Sequence, residues 1–383
     1  LFYTVQDGLL AFGSEIKALF CHPCITPQTD DDSFREIFAI GPARTPGNGV
    51  FKGIHEVLPG HLVIFSEEGF SEHCYWTLEA KPHTDNYAQT VEKVAFLVRD
   101  AIRRQMVSDV PVCSFLSGGL DSSIITAGAS KFMEENCGTL NTFSFDFTGN
   151  DQYFKSNSFQ PTRDRPYVEM LLRQFPVRHT YLECGTEILA DLLSAAVRAK
   201  DLPGMTDVDA SLLYFCSLVK QHNKVALTGE CADEIFGGYP WFYREDLFHA
   251  DGFPWSHDID ARTCMLRDDV IEKLQLGDYA RQRYEDSRTA TPKLDGENAE
   301  EERRREVSYL NIRWFMQTLL DRMDRTSMAY GLEARVPFAD HRIVEYLYNV
   351  PWDMKYQNGV EKALLRDACV GLLPGEVLYR KKC

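Results

Sequence analysis

Val110-Pro111-Val112-Cys113-Ser114-Phe115-Leu116-Ser117-Gly118-Gly119-Leu120-Asp121-Ser122-Ser123, or VPVCSFLSGGLDSS, is the stretch on which the fold turns. Up to Leu116 it is an apolar, β-leaning run. It then breaks into a loop of small residues and resumes at Ile124-Ile125-Thr126-Ala127 as a helix. A strand, a glycine loop and a helix in succession mark the carboxyl end of a strand in a parallel sheet, where such sheets bind ligands. Gly118 and Gly119 carry no Cβ, so the backbone can turn sharply and approach a ligand closely. The unpaired N–H groups that open the next helix, with its dipole, favour phosphate. Ser117, Ser122 and Ser123 add hydroxyl donors. Asp121 would be repelled by bare phosphate. It makes sense beside a divalent cation such as Mg2+, which takes carboxylate and phosphate oxygens together. No Lys follows the glycines, so this is not a Walker A loop.

Outward from the loop, strands and helices alternate. Val91, Val94, Leu97, Val98, Ala101 and Ile102 recur at helical spacing before it. After it come an expected strand at Thr142–Phe147, a helix near Tyr167–Gln174, a strand at His179–Glu183, helices, and a strand at Lys224–Leu227. This pattern predicts an α/β fold with a parallel sheet covered by helices. Upstream, Leu1–Val5, an Asp7-Gly8 turn and Leu9–Phe12 read as a hairpin, followed by a short helix near Glu15–Phe20 and a helix start at Thr29–Ser33. Residues 41–60 read as loops, His61–Phe65 as a strand and Trp76–Asn86 as a linker. Pro240–His257 reads as aromatic-rich loops, either packed on the core or covering the substrate side, and Ser287–Gly296 as a polar insertion. Glu300–Glu306, EEERRRE, reads as a solvated helix start.

The 383 residues are 44% hydrophobic, enough for a sizeable core, and the charge is 41 − 57 = −16. That balance argues against nucleic acid as the main partner, since phosphate backbones need clustered Lys and Arg. The eleven cysteines form no framework, and CHPC at Cys21–Cys24 has no second pair to complete a zinc site. Reduced thiols in the cytoplasm are expected. No membrane span and no signal peptide are expected. The chain opens on Leu1, already in a strand, and stops at Arg380-Lys381-Lys382-Cys383. Both ends are expected to be cuts within a longer protein.

Three further blocks join the loop. Leu227–Tyr239, LTGECADEIFGGY, is a second strand and glycine turn with three acids in five residues, Glu230, Asp233 and Glu234. So many acids are awkward in a plain core and call for a metal or a cationic partner. Asp324-Arg325-Thr326 with Glu333-Ala334-Arg335-Val336-Pro337-Phe338 reads mostly as a structural Asp/Arg network. In Glu361-Lys362-Ala363-Leu364-Leu365-Arg366, Lys362 taken alone reads as a solvated helix lysine. Asp207 and Asp209 read as a helix N-terminus, with lining the site as the alternative.

SGGLDS after a strand is similar to the loop of the PP-loop, or N-type ATP pyrophosphatase, superfamily. With the other blocks, the chain resembles asparagine synthetase of the glutamine-hydrolysing B type over nearly its whole length. Phe12-Gly13-Ser14-Glu15-Ile16-Lys17-Ala18-Leu19 is similar to that family's FASEIKAL segment, with Gly13 in place of Ala. Leu58-Pro59-Gly60-His61 and Tyr75-Trp76 resemble the close of its glutaminase domain, and Tyr153–Pro161 resembles a bacterial branch. The resemblance implies the C-terminal remnant of an Ntn-type glutaminase domain over 1–78. It implies an adenine nucleotide alpha hydrolase-like synthetase domain over 79–383.

It also implies ATP and Mg2+ as cofactors and roles for named residues. Ser117, Gly118, Gly119, Leu120, Asp121, Ser122 and Ser123 would hold the pyrophosphate end of ATP. Phe115, Leu116 and Phe145 would lie along the adenosine, and Thr228 and Gly229 would touch the nucleotide. Asp121 and Asp233 would hold Mg2+. Glu230, Lys362 and Arg325 would be catalytic. The implied reaction is ATP-dependent amidation of L-aspartate through β-aspartyl-AMP, with release of AMP and pyrophosphate and with a possible homodimer as the assembly. The family's N-terminal nucleophilic cysteine matches none of the eleven here, so this stretch is expected to use ammonia rather than glutamine. Alternatives are another amide-forming ligase such as a β-lactam synthetase-like enzyme, a PP-loop modifier of tRNA, and an inactive nucleotide-binding fragment.

Overall fold

The computed structural model describes residues 1–6, 8–156, 160–256 and 259–381. Asp7 of the expected turn, Phe159 of the bacterial-type stretch, His257 and the terminal Lys382 and Cys383 lie outside the described residues. The chain divides into two compact units. One comprises Leu1–Ala80, Lys200–Met205 and Phe248–Thr318; the other comprises Lys81–Ala199, Thr206–Leu247 and Leu319–Cys383.

The second unit is built on a five-stranded, wholly parallel sheet. Its order across the sheet is Glu333–Arg335, Val225–Leu227, Val112–Phe115, Leu140–Phe147, Val177–Cys184. The central strands are short and buried on both faces, as parallel strands under helices must be. From Val112–Phe115 the chain adds two strands on one side and then crosses to add two on the other. The sheet therefore reverses its winding between Val112–Phe115 and Val225–Leu227. In sheets wound this way, ligands bind outside the carboxyl ends of the two strands at the reversal. Phe143, Phe215, Cys216, Val219, Ala226 and Leu332 pack around Cys113 as the core beside it. The Tyr87–Gln105 helix buries Val94, Leu97, Val98, Ala101 and Ile102 as the periodicity predicts, and Asn86 and Gln89 close its N-terminus as a capping box.

In the first unit, Phe2–Gln6 pairs antiparallel with Leu9–Gly13 and His61–Ser66 with Gly69–Cys74. Ala39, Ile40, Phe253, Leu274, Leu310 and Trp314 form one core.

Several elements differ from the sequence reading, among them the Glu245–Phe248 helix within the expected Pro240–His257 loops and the His55–Glu56 strand within the expected 41–60 loops. Gly69–Cys74 is a strand, although all six residues are exposed and carry no alternation. Glu333–Arg335 is a strand of the parallel sheet, too short and too polar to announce itself. The polar stretch at Ser287–Gly296 begins inside the Leu276–Thr289 helix, where buried Ser287 accepts from Trp314 Nε1 at 2.9 Å. Glu300–Glu306 starts a helix as expected, with Glu300 and Glu301 exposed, but the run does not stay solvated. It lies in the Ala299–Leu310 helix, whose register turns Arg303 and Glu306 inward with Val307 and Leu310. Arg303 Nε and Nη2 then donate to the carbonyls of Phe248 at 2.9 Å and Ala250 at 2.8 Å, backbone acceptors that burial would otherwise strand.

Candidate active site in the sheet crevice

The Ser117–Ser123 loop is tied by its own hydroxyls. Ser122 Oγ accepts from the Ser117 amide at 3.2 Å and meets Ser117 Oγ at 3.0 Å, and buried Ser123 donates to the Gly119 carbonyl at 2.5 Å. Gly118 takes a left-handed φ of +70°. A Cβ there would meet Asp164 O, Tyr167 Cβ and Val168 N, each at 3.0 Å. This is a real requirement for glycine. Leu116 is buried and its amide bonds to Phe143 O at 2.8 Å. Phe115 and Phe145, half-buried on neighbouring strands, both set their rings against Phe215.

The second loop reaches the first backbone to backbone. A Cβ on Gly229 would lie 2.6 Å from Ser122 N and 2.8 Å from Asp121 C. Thr228 donates its amide to Arg335 O at 2.9 Å and offers Oγ1 to the Glu230 amide at 3.3 Å. Beyond it, Gly238 leaves the space that Asp233 fills: a Cβ there would stand 1.8 Å from Asp233 Oδ1 and 2.8 Å from Lys362 Cε.

Lys362 joins the two loops. It precedes the Ala363–Ala368 helix in a left-handed conformation, φ +53°. Its side chain is 4% exposed. Nζ donates to Asp121 Oδ2 at 2.8 Å and Oδ1 at 3.0 Å, and pairs with Asp233 Oδ1 at 2.5 Å. Burial disfavours both charged partners and raises the Asp121 carboxyl against the pull of Lys362. The same burial opposes the ammonium, but Asp121 and then Asp233 outweigh it and hold the lysine above its usual value. Lys362 is therefore no solvated helix lysine.

Glu230 follows Gly229 in the second loop. Oε1 accepts from Arg322 Nη2 at 2.7 Å; Oε2 is buried with no partner among the described residues. Burial raises its carboxyl above the ordinary range, with Arg322 acting against the shift. The Arg322 guanidinium is disfavoured by burial, but Glu230 and then buried Asp209 of the Thr206–Val219 helix hold it firmly charged. The Cys216 thiol is pushed up to about 12, first by burial and then by Glu230, and stays protonated.

The structure thus brings Ser117–Ser123, Thr228, Gly229, Glu230, Asp233 and Lys362 into one crevice. Arg325 pairs with Asp324 at 3.1 Å and Asp321 at 3.5 Å on its own helix. The arginine that meets Glu230 is Arg322, one turn earlier on the Gln317–Met328 helix. Arg322 was not singled out from the sequence. Helical spacing i, i+3 puts both arginines on one side, and only the helix's rotation decides which faces Glu230.

Comparison with known proteins places the sequence in a family. A family model described as asparagine synthase covers residues 93–383. The chain belongs to the asparagine synthase family. A second family model, a glutamine amidotransferase domain, covers residues 1–76. The chain is 50% identical over 382 residues to glutamine-hydrolyzing asparagine synthetase 3 of Bacillus subtilis (strain 168), covering all of this chain and 62% of that protein. It is 27% identical over 422 residues to asparagine synthetase 1 of the same organism, covering all of this chain and 63% of the relative. Against the asparagine synthetase of Mus musculus it is 27% identical over 295 residues, 75% of this chain and 41% of that one. The chain spans just over three fifths of the length of the two Bacillus relatives.

Proposed function

We propose that the crevice makes L-asparagine from L-aspartate, MgATP and ammonia, through β-aspartyl-AMP. The observation that supports this best is Lys362 buried between Asp121 and Asp233, beside the glycine loop at the reversal of a parallel sheet. A carboxylate is a poor electrophile, and transfer of AMP gives it a leaving group. The Ser117–Ser123 loop and the helix it opens present N–H and hydroxyl donors to the phosphates. Thr228 and Gly229 hold the second side of the nucleotide, and Phe115, Leu116 and Phe145 lie along the adenosine. Lys362, kept charged, neutralises the departing pyrophosphate, an electrostatic contribution to the transition state. Glu230 has one oxygen fixed by Arg322 and the other free. Its raised pKa suits it to take a proton from ammonia as the amine attacks the acyl carbon.

The donor set fits Mg2+. No group of three or more potential metal ligands occurs among the described residues. Mg2+ in nucleotide sites is held by one or two carboxylates with substrate phosphates, and Asp121 and Asp233 are such a pair. Bound there, the ion would supply charge neutralisation on the phosphates.

The functional division proposed is 1–78 for the glutaminase part and 79–383 for the synthetase. The named relatives hydrolyse glutamine, and the amide nitrogen is assigned to ammonia derived from it in a longer protein. A cytosolic homodimer completes the reading; cell fractionation and sedimentation check those two points.

Pyrophosphate release tests the reaction. With purified chain, MgATP and ammonium, release should require L-aspartate and yield asparagine and AMP. Release driven by another carboxylate keeps the chemistry and changes the substrate. A folded chain that binds no nucleotide overturns the proposal.

A further inference from the structure

Arg380 is a cation enclosed beside the phosphate loop, its side chain 1% exposed. Neither the sequence reading nor the reaction gives it a task. Its guanidinium ties two separate pieces of chain, Gly118 and the Thr162–Tyr167 stretch. Nη1 donates to Gly118 O at 2.9 Å. Nη2 donates to Thr162 O at 3.0 Å, Thr162 Oγ1 at 3.2 Å, Arg163 O at 3.3 Å and Asp164 Oδ1 at 2.8 Å. The plane lies over the Tyr167 ring, 3.9 Å from its centre. Tyr167 and Val168 are also what Gly118 packs against.

The contact with Gly118 has a consequence for the ligand side of the loop. A trans peptide points its C=O and the following N–H in opposite directions. Fixing the Gly118 carbonyl on Arg380 therefore fixes the Gly119 N–H away from Arg380, where its nearest acceptor is Ser117 Oγ at a long 3.4 Å. Gly119 immediately precedes the Leu120–Glu135 helix, the end that favours an anion. Glycine stands on both sides of this peptide, so little in the local chain resists its rotation. Rotated by half a turn, it would present a carbonyl oxygen to the phosphates instead of a donor.

We propose that Arg380 is a positioning residue that locks the Gly118–Gly119 peptide in the orientation that accepts phosphate. The proposal rests on the reading of the crevice as an ATP site. Arg380 touches no reacting atom; it acts through the loop.

The test compares Arg380→Lys, which keeps the charge and loses the fork, with Asp164→Asn. Asp164 makes no capping bond to its own helix, so the second change loosens the clip without unmaking the helix end. Both variants should show the KM for MgATP raised about tenfold or more, the size expected for a misdirected donor to a charged group. The KM for aspartate should stay within about twofold. Hydrogen exchange at residues 117–122 should speed up in the unliganded protein. Folded variants with wild-type KM for MgATP and wild-type loop exchange would overturn the proposal, as would a loss of turnover with both KM values unchanged. If the wild-type chain releases no pyrophosphate, the proposed reaction fails. Arg380 is then judged by loop exchange and by calorimetric titration with MgATP, where unchanged affinity in both variants counts against it.

Discussion

Each compact unit holds a buried ion network, and the two are built differently. In the first unit Arg303 and Glu306 are one charge of each sign. Nη1 of Arg303 bonds to Glu306 and to Tyr284 OH, Nε and Nη2 take two backbone carbonyls, and Tyr284 OH donates to Glu306 at 2.6 Å. Burial, and next the bond to Glu306, push the Tyr284 hydroxyl up to about 12, so it remains a donor. In the second unit one ammonium serves two carboxylates, and a third acid, Glu230, leaves Oε2 without a partner. A closed network holds structure together. An open one, with acid in excess and a lone pair unspent, carries an unmet demand for cationic or donor ligands. The distinction lies in whether the donors and acceptors balance, since both networks are largely shielded from solvent.

The contrast breaks most visibly at Lys362. Lys362→Ala should lower turnover about 10²- to 10³-fold or more while moving the KM for MgATP far less, because the ammonium acts on charge that grows in the transition state. Steady-state pyrophosphate release checks this, and unchanged turnover removes Lys362 from the mechanism. Arg303→Met should do the opposite. It strands Glu306 in a buried site and should cost about 3–5 kcal/mol of stability. Denaturant unfolding reads that loss, and the KM for MgATP should not move. If Arg303→Met instead impaired catalysis in a folded protein, the division between closed and open networks would fail.

Excess acid in the second unit also predicts a pH response. Glu234 is buried and its carboxyl is pushed up to about 8, first by burial and next by Asp233. A carboxyl with a raised folded pKa binds a proton in the folded state that the unfolded chain has released. Its contribution is therefore present in full below about 4.5 and lost as pH rises towards 8, at roughly 1.4 kcal/mol per pH unit. Glu234→Gln, which can still accept from Tyr239 OH, should flatten the fall in stability across that window. Parallel curves of unfolding midpoint against pH for wild type and variant would remove Glu234 as the cause.

The parallel sheet and its loop were legible in the sequence because a strand, two glycines and a helix leave few alternatives. The alternation that followed indicated a parallel sheet covered by helices, but not the order of its strands. Glu230, Asp233 and Lys362 stood out only as blocks that resemble a family. Nothing in the spacing of residues 121, 233 and 362 shows that they meet, since that contact is made by sheet order. The misread elements share a cause. Arg303 and Glu306 look solvated in a row of charges, and their burial depends on which face of the helix turns inward. Arg322 and Arg325 differ by one turn of the same helix, and Arg380 sits in a short basic run that gives no hint of a carbonyl at Gly118.

The least effect belongs to a pair whose geometry looks as good as any. Arg103 and Glu135 meet at 2.5 Å across two helices of the second unit, the same distance as Lys362 and Asp233. Yet Arg103 and Glu135 are 48% and 56% exposed. Water solvates both charges when they separate, salt screens them when they meet, and ordering two long side chains costs entropy. The net contribution should be under about 1 kcal/mol. Arg103→Ala should therefore leave pyrophosphate release unchanged and shift stability only slightly, and less at high salt. A loss of several kcal/mol would show that distance alone ranks these pairs, and burial and balance could no longer separate the crevice from the rest of the molecule.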